Sequence, residues 1–123
     1  MDYESSKLFG LDDEKDFQMS QEKQDFIKRD PYFTKHKFKK VPLSKLIQDN
    51  DLDNPVSLSN RIDSWGKSIN EYHYDSKQDN RPHDVIYGTQ RNGKIRLANG
   101  RHRIRALAND GYRNVWIPIL DEE

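Results

Sequence analysis

Apolar residues recur along this chain in short, separate rhythms. The steadiest runs over residues 57–72, where Leu58, Ile62, Trp65, Ile69 and Tyr72 stand four, three, four and three positions apart. That spacing places all five on one face of a helix. Ser57 or Ser59 supplies a capping oxygen, and Gly66 inside the stripe marks close packing. Two heptads are too few for a coiled coil, so the stripe reads as a core face. A second helix over 101–109 gathers Ile104, Leu107 and Ala108 on one side, with Gly111 just past its end. Shorter apolar runs at 38–41, 85–87, 94–97 and 114–120 read as strands. Arg91-Asn92-Gly93 joins the middle two, and Asn-Gly is the strongest short hairpin signal. Pro42 opens a short helix, and residues 21–29 favour another that Asp30-Pro31 ends. Residues 49–55 form a loop of turn formers. Strand, helix, helix, hairpin, helix, strand predicts a mixed α/β (α+β) domain.

Composition sharpens the boundaries. The chain has 123 residues, which suits one domain. Only 33% of them are hydrophobic and 34% are charged, so the core is small and part of the chain is expected outside it. Residues 1–19 are acidic and aperiodic, with Phe9 and Leu11 as a small apolar contact point. The reading is an acidic N-terminal arm over 1–30, carrying the short helix and free to meet a protein partner. The domain proper spans 31–123, with a core from about 38 to 120 that excludes residues 1–19.

Net charge is zero, so the total predicts no polyanion partner. The distribution is uneven. Residues 1–27 hold eight acids against Lys7, Lys15 and Lys23, whereas residues 28–45 hold seven bases against Asp30. Two solvated segments are the ordinary explanation; an acidic arm and a basic surface are the sharper one. Cysteine is absent, which excludes disulfides, thiolate metal sites and thiol catalysis. No apolar run approaches the ~20 residues that span a bilayer. The acidic start Met1-Asp2-Tyr3-Glu4 lacks the form of a secretory signal. The expectation is a cytoplasmic protein without a membrane partner.

Candidate chemistry concentrates in Leu97-Ala98-Asn99-Gly100-Arg101-His102-Arg103. A strand runs into a glycine turn, and the turn opens a helix whose first residues are basic. A helix N-terminus presents unpaired N–H groups and the positive end of the helix dipole. Cationic side chains there make an anion site, best suited to a phosphate. Asn99, Gly100, Arg101, His102 and Arg103 are the candidate phosphate- or nucleotide-binding residues, with Arg81 grouped beside them. An exposed basic helix face is the alternative explanation.

These segments resemble the ParB/sulfiredoxin-like superfamily. Val41-Pro42-Leu43-Ser44-Lys45-Leu46 is similar to its opening strand and turn, (I/V)-P-(V/L)-x-x-L. Asn99 to Ala106 is similar to its central box, G-x-(H/R)-R-x-x-A, and Gly111 to Ile119 to its closing G-x-x-x-(I/V)-P-V strand. The resemblance covers about two-thirds of the chain. It implies a small mixed sheet with flanking helices and a nucleotide or phosphate site at the box. Gly100 would let the backbone approach the ligand, and His102 and Arg103 would contact phosphates, Arg103 with its fork. A nucleoside triphosphate with Mg²⁺ is the cofactor implied. Sulfiredoxins place their catalytic Cys where this chain has Arg101, so sulfinic-acid reduction is ruled out. Chromosome-partitioning ParB proteins usually carry Glu there, so Arg101 counts against their route of CTP hydrolysis. The chain stops after its last strand, and a ParB-type helix-turn-helix DNA reader is not expected.

The leading expectation is a stand-alone domain that binds a phosphorylated ligand, a nucleotide or a DNA or RNA backbone, as an accessory protein of a phage or mobile element. A nuclease or nucleotide-dependent phosphotransferase of the same fold is the second. An inhibitor or adaptor with a vestigial site, acting through the acidic arm, is the third. No catalytic residue is assigned. His36, His73 and His83 lack metal-ligand spacing and read as surface residues, and no metal site is expected. Asp84 reads as a loop acid, with a general base or metal ligand of a hydrolase as the alternative. Trp65, Tyr72 and Tyr74 can stack bases, though Trp65 and Tyr72 fit the core stripe better. Lys35 to Lys40 is basic with one aromatic, a weak nucleic-acid signal.

Overall fold

The computed structural model describes residues 16–54 and 84–122. Five strands form one mixed sheet: β1 (Asp16–Gln18), β2 (Lys37–Pro42), β3 (Tyr87–Arg91), β4 (Lys94–Asn99) and β5 (Asn114–Asp121). Helices α1 (Gln21–Arg29), α2 (Leu43–Asn50) and α3 (Arg101–Asn109) pack with it, and a 3₁₀ turn covers Pro31–Phe33. The α+β class read from the sequence is the class observed.

β5 is the centre of the sheet. β2 lies antiparallel along one edge, pairing Val41 with Val115 and Lys37 with Ile119. On the other edge β1 and β3 lie end to end, both parallel to β5: Phe17 pairs with Val115, and Gly88 with Ile119. Directly paired residues share a face, and residues two apart in a strand share it too. Phe17, Val41, Val115, Ile117 and Ile119 therefore form one face. All are buried, with Ile95 and Leu97 of β4 beside them. Leu46 of α2 and Ile104 and Leu107 of α3 complete this core, each fully buried. Complete burial of such a side chain contributes about 1.5–3 kcal/mol.

The hairpin β3–β4 closes on Asn92 and Gly93, both at positive φ (53° and 81°). Two consecutive left-handed residues are what a two-residue loop between right-twisted strands requires. The strand before that turn is longer than its apolar letters suggested. It runs to Arg91, while Val85 and Ile86 lie buried ahead of it.

β4 ends the sheet and would expose a row of backbone donors and acceptors. The end of α2 covers them with side chains. Asp49 accepts from Ile95 N–H at 3.0 Å, and Asn50 accepts from Leu97 N–H at 2.9 Å while donating to Ile95 C=O at 3.0 Å. Burial pulls the Asp49 carboxyl upward. The Ile95 N–H bond, the Lys45 ammonium and the Lys94 charge outweigh it and hold the group below its ordinary value.

The boundary at residue 30 is corrected by the packing. Phe17, Met19 and Ile27 are buried in the core, and Phe17 meets Tyr112 edge-on at 5.6 Å. Residues 16–30 belong to the domain. β1 is too short to show a period, and its burial comes from a partner strand far along the chain. The helix expected over 57–72, residues 1–15, Arg81, His73, His83 and Tyr74 lie outside the described residues. No helix among the described residues is long and apolar enough to cross a membrane.

Candidate functional site

The five described candidates sit where β4 passes into α3. Gly100 caps the helix at φ +103°, a left-handed conformation that side-chain-bearing residues rarely adopt. A Cβ there would also lie 2.8 Å from Cγ2 of Ile86, which is fully buried. The close approach that this glycine permits is therefore to Ile86. The N-cap Gly100 offers no side chain to cap α3, and the first intrahelical bond runs from Ile104 N–H to Gly100 C=O at 2.9 Å.

Side chains in a first helical turn lean back toward the N-terminus. Arg103 does so and reaches Asp84, just before β3. Its Nη1 donates to the Asp84 carbonyl at 2.8 Å and its Nη2 to the carboxylate Oδ1 at 2.9 Å. Asn99 Nδ2 donates to the same Oδ1 at 2.8 Å and to Val85 C=O at 2.9 Å. Lys23, reaching across from α1, donates its Nζ to the Asp84 carbonyl at 2.9 Å. Each of these two Asp84 oxygens thus accepts two donors, and the junction ties α1, β3, β4 and α3 together. Arg103 and Lys23 are buried at 7% and 3% exposure, whereas the Asp84 side chain is 40% open.

The candidates divide accordingly. Asn99 and Arg103 hold the turn in place from within. Arg101 is exposed at its outer surface, and His102 is half-buried. Asp84, read as a loop acid, is the organising residue of the junction. Lys23 was missed, although a signal exists: it stands four residues from both Met19 and Ile27, on the buried stripe of α1. Ser20 caps that helix by accepting from Lys23 N–H at 3.2 Å.

A second polar feature adjoins the first. Tyr87 pairs with Asn99 in the hairpin register and carries a cluster of rings. Tyr32, Phe33, His36 and Tyr87 meet one another with centroids 4.9 to 6.0 Å apart. His36, expected at the surface, has both ring nitrogens shut from solvent without a hydrogen-bond partner among the described residues. Burial lowers its pKa. Tyr87 shifts upward through the interaction of its hydroxyl with that of Tyr32, with burial and the Tyr32 charge adding to the effect.

Among the described residues no three His, Cys, Asp or Glu side chains converge as a metal site. A surface depression lined by Ser44, Ile47, Gln48, Asp51 and Asp53 includes no residue of the turn 99–103. Comparison of the chain with protein-family models, curated proteins and solved structures gave no match.

Proposed function

We propose that this is a ParB/sulfiredoxin-like domain that binds a phosphorylated ligand, a nucleotide or a nucleic-acid backbone, at the N-terminal turn of α3. One observation carries the reading: Gly100 opens α3 without a side-chain cap while Arg101 stands exposed beside it. The dipole of the helix and this cation favour the same anion. The junction at Asp84 refines the roles. Arg103 and Asn99 position the turn, and Arg101 and the backbone of Gly100 would meet the ligand.

Calorimetric titration of nucleotides, with and without Mg²⁺, tests this. A charge-assisted hydrogen bond is worth about 1.5–3 kcal/mol, so Arg101→Ala is expected to weaken binding about tenfold to a hundredfold. Arg101→Glu is expected to abolish it. Both variants should melt like the wild type, because Arg101 is exposed. If no anion binds, or if Arg101→Glu binds as tightly as the wild type, the turn is structural and an interaction module takes over as the reading.

A further inference from the structure

Tyr32 is the one large apolar side chain exposed among the described residues, at 62%. It is also firmly seated. Phe33 and Tyr87 meet it edge-on at 5.0 and 5.8 Å, and His36 lies against it at 5.6 Å with the rings tilted by 34°. Its backbone N–H donates to Asp30 Oδ1 at 2.9 Å, fixing the turn that presents it. A ring held this way loses little freedom when another flat group stacks on it.

The chain on either side of this turn is cationic. Lys28 and Arg29 end α1 immediately before the turn, and Lys35 and Lys37 follow immediately after it. All four are exposed, and none makes an ion pair with a described residue. The bases that are paired lie elsewhere: Lys39 with Asp121, Lys40 with Asp16, Lys45 with Asp49. Asp30, the single acid between residues 28 and 37, is engaged by the Tyr32 N–H.

We infer that this face is a docking surface for single-stranded nucleic acid. One base stacks on Tyr32, and the flanking phosphates meet Lys28, Arg29, Lys35 and Lys37. An aromatic platform beside a cationic track is the combination that single strands require, because their bases are free to stack and their phosphates are regularly spaced. A duplex hides its bases and would use the charges alone. This surface lies outside α3 and does not depend on the phosphate site proposed above.

Anisotropy of a fluorescently labelled oligothymidylate tests it, with a duplex of equal length and anionic phospholipid vesicles as separate arms. The wild type is expected to bind the single strand in preference to both. Tyr32→Ala is expected to weaken that binding about tenfold, and Tyr32→Phe to retain it. Each of Lys28→Gln, Arg29→Gln, Lys35→Gln and Lys37→Gln should lower the slope of log affinity against log salt by about 0.7. Unchanged thermal melts keep these variants interpretable. The inference is overturned if no strand binds at low salt, if Tyr32→Ala binds like the wild type, or if duplex or vesicles bind better. Mononucleotide binding, read in Arg101→Glu, reports on the α3 site separately, so either reading can fail alone.

Discussion

The Asp84 junction and the Tyr32–His36 ring cluster both take polar side chains out of water, on opposite terms. At Asp84 the buried cations Lys23 and Arg103 donate to oxygens at 2.8 to 2.9 Å. In the ring cluster the two nitrogens of His36 are enclosed by aromatic surface and take no such bond among the described residues. The first arrangement stabilises charge in the interior by supplying partners. The second tolerates a polar ring only in its neutral form. Stability should therefore depend on chemistry at one place and on pH at the other.

The largest effect is expected from breaking the first region. Arg103→Ala removes two donors from Asp84 and opens space behind the turn. Losing one member of a buried ion pair costs about 3–5 kcal/mol, and the partly open Asp84 places this case near 3. Arg103→Lys should recover only part of the loss, since an ammonium cannot fork onto the carbonyl and carboxylate together. Urea denaturation measures both. A wild-type midpoint for Arg103→Ala would remove the junction's structural role.

Gly100→Ala comes next. It forces a Cβ into a left-handed conformation and against Ile86, at about 2 kcal/mol. Nucleotide affinity should follow stability in this variant if the turn is rigid, and a melt with a parallel titration checks it.

The smallest effect sharpens the contrast through pH. Burial holds His36 below its ordinary value of 6.5, so the unfolded chain takes the proton first. The native state keeps its full advantage above about pH 6.5. It loses stability as pH falls below that, until His36 titrates in the folded protein as well. His36→Phe should flatten this dependence below about pH 7. Asp49 acts in a lower window. Its carboxyl is held below the ordinary 3.8, so its contribution is present above that value and lost as pH falls further. Urea midpoints of wild type and His36→Phe across this range separate the two groups. Parallel curves would mean that His36 titrates alike in both states.

The two regions were unequally legible in the sequence. Local signals succeeded where the cause is local. Gly100 followed by a basic run gave α3 its start, Asn92-Gly93 gave the hairpin, and Asp30-Pro31 gave the end of α1. Arg103 stood out as a charge, but its partner did not, because Asp84 lies nineteen residues away in sequence. Lys23 and Asp84 are sixty-one apart. His36 read as a surface residue because it shares no metal-ligand spacing with His73 and His83. Tyr32 and Phe33 of the 3₁₀ turn and Tyr87 of β3 enclose it together.

The position of β5 bears on how this chain reaches its fold. β5 is the last of the described strands, yet β1, β2 and β3 all pair with it. The β3–β4 hairpin can close by itself in microseconds. The rest of the sheet waits for residues 114–121. During synthesis, β1 and β2 leave the ribosome long before their common partner does, and their edges stay open to other chains in the interval. Asn114, which bonds to Asp16 across ninety-eight residues, closes the longest loop among the described residues and with it the sheet. Folding should accordingly be slow for a domain of this size, governed by when one strand arrives rather than by how fast any helix forms.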